Sequence, residues 1–281
     1  MTLSAPAEIS EAKSHALYPL AMAAIYVLTA GLLGLLVYCR AAGEPCSVAD
    51  EDGLVESGTL VAFGLCALLA FLAAIMQRAR LARREKVLLI VFGLLCLAAV
   101  GEEISWGQRV FGLKVPQSLS KEAGGAIQAG HKDLTVHNLT LNLGFMKFSV
   151  GGVLLSLPLF VGLFLHGVWL PVRVKAGKPV ATGVVKRLGL FLPPLHLGIL
   201  VFAVSLFLHY IHSVRSWRAL EPREYKEMLI PAVYAFALLH VFFRQRTRAN
   251  VIVTACALGL LAIGLVWSVI QGMTVPGHGL R

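Results

Sequence analysis

The sequence predicts an all-α integral membrane bundle of about seven transmembrane helices. Three observations predict it. Of 281 residues, 57% are hydrophobic and only 14% charged, where a soluble domain carries about 25% charged residues. Apolar runs near the length that crosses about 30 Å of hydrocarbon recur along the chain. The basic residues fall in short clusters between those runs, which is the signal that sets membrane orientation. The chain therefore reads as one polytopic membrane domain over residues 1–281.

The spans read, in order, 16–39, 54–76, 87–106, 145–170, 189–212, 228–243 and 249–271. The first is too long for the apolar core of a signal peptide, and its flank holds Lys13 against Glu8 and Glu11. It is expected to be a retained anchor. The sixth is short. Pro193-Pro194 near the start of the fifth predicts a kink or a broken helix. Gly124-Gly125 marks the middle of the long 107–144 connection as mobile or re-entrant. No internal repeat is apparent, which argues against an inverted-repeat transporter.

Orientation follows from the connections. Residues 77–86, 171–188 and 244–250 hold thirteen basic residues against one acid, Glu85. These alternate connections are expected inside. Residues 40–53 instead carry Glu44, Asp50, Glu51 and Asp52 against Arg40. The N-terminus is then inside, the C-terminus outside and the 107–144 connection outside. A bacterial inner membrane is the plainest home.

The net charge of +10 does not imply nucleic acid. The basic clusters lack the aromatic interleaving that grips single strands, so no nucleic-acid partner is expected. Five scattered cysteines contain no Cys-x-x-Cys pair, which argues against a thiolate metal site. A Cys39–Cys46 bridge would suit an oxidising outer face. No Walker loop, nucleophile elbow, HExxH or Rossmann glycine pattern is present.

The chemistry-bearing residues gather at the outer ends of the spans. Residues 100–109 read Val-Gly-Glu-Glu-Ile-Ser-Trp-Gly-Gln-Arg. Carboxylates at membrane depth are costly, so Glu102 and Glu103 are functional candidates. On a helix, Glu102, Ser105 or Trp106, and Arg109 share a face. The alternative is an interfacial helix end with a tryptophan anchor and a stabilising Arg–Glu pair. Farther on, Asp133 and His137 stand four apart. On a helical turn they suit two ligands of one metal, or a carboxylate orienting an imidazole; the alternative is a capped, solvated helix start. In the fifth span, Ser205, His209 and His212 recur at one helical face, followed by Arg215. They suit a carboxylate–histidine metal site, cross-helix hydrogen bonds or an anionic headgroup. His166, His196 and His240 lie nearer the inner side and read as packing or interfacial residues.

The stretch Gly101-Glu-Glu-Ile-Ser-Trp-Gly-Gln-Arg-Val-Phe-Gly, with a loop ending His137-Asn138-Leu139, resembles a group of uncharacterised bacterial polytopic membrane proteins. Gln128 and Asp133 match the glutamine and the acid of that group's loop, with Asp standing where Glu is usual. The resemblance covers residues 100–139 and implies a shared site at Glu102, Glu103, Trp106, Gln108, Arg109 and His137. It implies no reaction. Seven-helix lipid amidases of the ceramidase type carry a histidine pair on their last helix. Span 249–271 has no histidine, so that family is not indicated.

The expectation is a membrane enzyme acting on a lipid or lipid-linked substrate at the outer face. Glu102, Glu103, His137 and Asp133 are the catalytic candidates. Arg109, Trp106, Gln108 and Arg215 are the substrate-binding candidates. Glu103, His137, His209 and His212 would hold a divalent metal such as zinc, whose activated water suits hydrolysis or headgroup transfer. The alternative is a non-enzymatic subunit or assembly factor of an envelope complex, or a transporter. Membrane lipid is the expected partner, with a membrane protein or a second copy as further candidates.

Overall fold

The computed structural model describes residues 17–42, 54–76, 81–104, 127–129, 139–142, 147–149, 156–214, 222–243 and 256. Helix makes up 88% of them. Three helical stretches, Met22–Ala41, Ser57–Met76 and Leu195–Ser213, are long and apolar enough to cross a membrane.

Helices α1 (Leu17–Ala42) and α2 (Leu54–Met76) coincide closely with the first two expected spans. Both carry one buried threonine whose hydroxyl donates to the carbonyl one turn back, Thr29 to Ile25 and Thr59 to Val55, each at 2.8 Å. An apolar interior tolerates a hydroxyl when its hydrogen bond is made internally. The buried face of α2 is rich in small residues: Ala62, Ala67, Ala70, Ala73 and Ala74. Small side chains let neighbouring helices approach closely, and α2 packs on both α3 (Arg83–Glu103) and α8 (Pro222–Phe243).

Helix α3 starts at an extended Ala82, whose amide donates to the Glu85 carboxylate at 2.7 Å. It ends at Glu103, because Ile104 leaves helical geometry at φ −90°, ψ 14°. This corrects the expected span 87–106. Ser105, Trp106 and Arg109, which were expected to share a face with Glu102, lie outside the described residues.

The long connection carries a small antiparallel sheet in the order β1 (Ile127–Ala129), β2 (Leu139–Asn142), β3 (Lys147–Ser149). Ala129 pairs with Leu139, and Asn142 with Lys147. The expected fourth span, 145–170, therefore begins too early. Residues 147–149 are strand and helix begins only at Ser156, because Phe148-Ser149-Val150 ahead of Gly151-Gly152 is strand-forming sequence closed by glycines.

Helix α4 (Ser156–Leu163) runs through a π-helical segment (Phe164–Trp169) into α5 (Leu170–Lys175). The π segment carries Gly167, which crosses Gly198 of α7 (Leu195–Ser213). A Cβ added at Gly167 would lie 3.2 Å from the Gly198 Cα, and one at Gly198 would run into the Gly167 carbonyl. Between them stands α6 (Pro179–Leu188), with proline at its first turn and Gly189 (φ 70°) closing its end. Such an end is glycine's natural place. Residues 189–194 are not helical, and Pro194 caps α7. The expected break at Pro193-Pro194 is present.

Helix α8 is longer than the expected 228–243. It begins at Pro222, with Glu224 in its first turn, both favourable at a helix start. Most of its apolar residues from Met228 to Leu239 are buried, and it packs on α1, α2 and α7. Pro231 interrupts its ladder, and the Cys66 thiol of α2 donates to the Pro231 carbonyl at 3.1 Å. Of the expected seventh span, 249–271, only Cys256 falls within the described residues.

The core divides into a larger cluster along α2, α7 and α8 and a smaller one at the end where Cys39, Val55, Leu208 and Tyr225 meet.

Candidate functional site

At that same end, three helices meet around one aromatic ring. Phe160 of α4 takes the His209 ring of α7 against it, centroids 5.0 Å apart at 66°. Across its face lies the Lys226 ammonium of α8, 5.4 Å from the centroid. Lys226 is only 4% exposed. A buried ammonium is costly without compensation, and the negative face of an aromatic ring supplies part of it.

The placement follows from helix register. Helices α4 and α7 run antiparallel, held by Phe164 against Phe202 at 5.4 Å and by the Gly167–Gly198 crossing. That brings Phe160 beside His209 two turns farther along. On α8, Lys226, Ile230 and Tyr234 share one face at four-residue spacing. Lys226 meets Phe160, and Tyr234 meets His166 in the π segment, rings stacked at 17°.

The carboxylates of α3 come to the same end. Phe92 packs on Tyr234, centroids 5.9 Å apart. From that contact, α3 climbs about 15 Å to Glu102 and α8 climbs about 12 Å to Lys226 in the same direction. Glu102 and Glu103 therefore lie within about one helical turn of the level of Lys226. Both are half-buried, and both are engaged with partners, as are Lys226 and His212.

His209 and His212 stand where expected, at the end of α7. Ser205, one turn deeper, is fully buried at 0% exposure, and its hydroxyl has no partner among the described residues. Trp106, Gln108, Arg109, Asp133, His137 and Arg215 lie outside the described residues. The pairing of Ala129 with Leu139 closes the ends of the segment that carries Asp133 and His137. Among the described residues, no three histidine, cysteine or acidic side chains form a group able to hold a metal ion.

No family model, curated protein or solved structure matches the chain. The site is read from its own residues.

Two members of the cluster, Phe160 and Lys226, were not legible as site residues. Lys226 precedes the sixth span expected to start at 228. Pro222 followed by Glu224 is the helix-start signal that would have placed it inside. His166 and His196 serve as packing residues between helices, as expected. His166 bridges helices through the Tyr234 hydroxyl at 2.9 Å and the Phe191 carbonyl at 2.6 Å. His196 lies against Tyr26 and the Met22 sulfur. The side chain of His240 lies outside the described residues.

Proposed function

We propose that the chain is a seven-span protein of a bacterial inner membrane, with its N-terminus inside. In this reading it is a hydrolase or headgroup transferase acting on a lipid or lipid-linked substrate at the outer face. The observation that carries the reading is the meeting of His209 and Lys226 on Phe160, at the end of the bundle to which α3 also brings Glu102 and Glu103. The thirteen basic residues of the alternate connections assign the opposite end to the cytoplasm. Cys39, at the same end as the cluster, is disulfide-bonded, which suits an oxidising compartment.

The roles follow from chemistry. Lys226 and Arg109 supply cations for an anionic headgroup. Glu103 or Glu102 serves as general base, with Asp133 orienting His137. Trp106, Gln108 and Arg215 complete the substrate contacts. A divalent ion here would be held by Glu103, His137, His209 and His212, and would supply Lewis acidity and an activated water. The sequence resemblance over residues 100–139 supports placing Glu102, Glu103 and His137 in one site.

The test pairs two readouts on the detergent-purified chain. Headgroup release from phospholipid vesicles is followed for wild type, Glu103→Gln and His137→Ala, beside metal content by mass spectrometry. Turnover lost in both folded variants supports the enzyme, and metal lost with His137→Ala adds the ion. Full turnover in both variants, or a stoichiometric membrane-protein partner in place of turnover, overturns it.

A further inference from the structure

The opposite end of the molecule carries a surface that the headgroup chemistry does not use. Helix α6 presents Val180, Val184 and Leu188 outward, 74%, 37% and 54% exposed. Their four-residue spacing makes one continuous apolar stripe. The helix is docked at its first turn, where Ala181 is only 2% exposed. Its end is pinned to α3, where the Arg84 guanidinium donates to the Arg187 carbonyl at 2.8 Å. Gly189 seals the joint, since a Cβ there would lie 2.8 Å from the Glu85 amide. The stripe therefore belongs to a helix fixed at both its first turn and its end.

Its position identifies what covers that face. Helix α6 joins the end of α5 at Lys175 to the start of α7 at Leu195. Because α7 is long and apolar enough to cross a membrane, its first residue lies at a bilayer surface, and so does α6. On α5, Arg173 sits 5.7 Å from the ring of Trp169. A tryptophan with a cation beside it is the usual marker of the headgroup level. Lys175 and Lys178 precede the stripe, Lys186 and Arg187 come at its end, and all four are exposed. The one nearby acid, Glu85, is held by the Ala82 amide. An apolar stripe bordered by cations is the signature of a helix lying in an interface, with its cations on lipid phosphates.

We propose that α6 is an in-plane helix that binds the anionic phospholipid surface, its stripe sunk among the acyl chains and its cations on the phosphates. This surface stands apart from the Phe160 end, and its test is independent of any activity there. The four basic residues would have been assigned to orientation alone by sequence, but their pairing with a fixed apolar stripe gives them a ligand.

The experiment uses the full chain in phosphatidylethanolamine vesicles with and without phosphatidylglycerol. A nitroxide is attached at position 184 through Val184→Cys, in a Cys256→Ser background. Cys66 and Cys96 are buried and stay unlabelled. The expected result is collision with dissolved oxygen over aqueous nickel chelate at position 184, and the reverse through Lys186→Cys. Greater access to the chelate at 184 overturns the proposal. So does a label shielded from both reagents, which signals a second copy or a protein partner. Native mass spectrometry then counts retained phosphatidylglycerol. Lys178→Gln with Lys186→Gln and Arg187→Gln lowers its enrichment at least about threefold. Unchanged enrichment overturns the anionic part.

Discussion

The ammonium of Lys226 and the ring of Phe160 form a cation–π pair between α8 and α4, 5.4 Å apart, in a place that excludes water from the lysine. Desolvated pairs of this kind contribute about 2 kcal/mol. A double-mutant cycle with Phe160→Leu and Lys226→Met, read by thermal unfolding in detergent, should give a coupling of about 0.5–2 kcal/mol. Strict additivity would mean that the ring does not stabilise the charge.

The Gly167–Gly198 crossing leaves no room for a side chain. Gly198→Val must push α7 away from the π segment, and overpacking of this kind costs about 1–3 kcal/mol or more. Gly31→Ala is the matched control, because a Cβ there meets nothing within 4 Å. The two variants should separate clearly in melting temperature. Equal melting temperatures would show that the helices do not touch at Gly167.

His166 ties the π segment to both α8 and the break before α7. Tyr234→Phe removes one hydrogen bond and should cost about 1 kcal/mol. His166→Leu removes both and leaves the Phe191 carbonyl orphaned, so its cost should be larger, about 2–4 kcal/mol. Denaturant titration of both variants checks the order; a reversed order would refute the bridge.

The thiols sort by exposure. Cys256 is free and exposed, Cys66 and Cys96 are free and buried, and Cys39 is disulfide-bonded. A maleimide added to the folded, unreduced protein should label Cys256 and leave Cys39, Cys66 and Cys96 unlabelled. Denaturation should add Cys66 and Cys96, and only reduction should add Cys39. Mass spectrometry of the labelled peptides reads each step. Early labelling of Cys66 would contradict its burial beneath Pro231.

The helical class was legible because it rests on composition and run length, which no packing detail can undo. The first two spans and the break at Pro193-Pro194 were legible for local reasons: apolar length in one case, missing amides in the other. The boundaries at Glu103, Ser156 and Pro222 were less so. Each is set by a short capping or strand signal that hydropathy averages away. Glu102, Glu103, His209 and His212 stand out in the sequence as polar groups next to long apolar runs. Phe160 and Lys226 were not, since their partnership depends on the antiparallel register of α4 and α7. Lys226 also falls outside a sixth span begun at 228.

The alanine face of α2 has a bearing on how the molecule is made. Its partner α3 follows within a few residues, but its other partner, α8, closes only at Phe243. During synthesis the α2–α3 hairpin is therefore finished long before α8 can join it. Through that interval the alanine face of α2 lacks the α8 side chains that later pack on it. The step most exposed to error is thus the late arrival of α8, and Cys66 waits until then for the Pro231 carbonyl. Chains arrested before α8 should be the ones that quality-control proteases recognise.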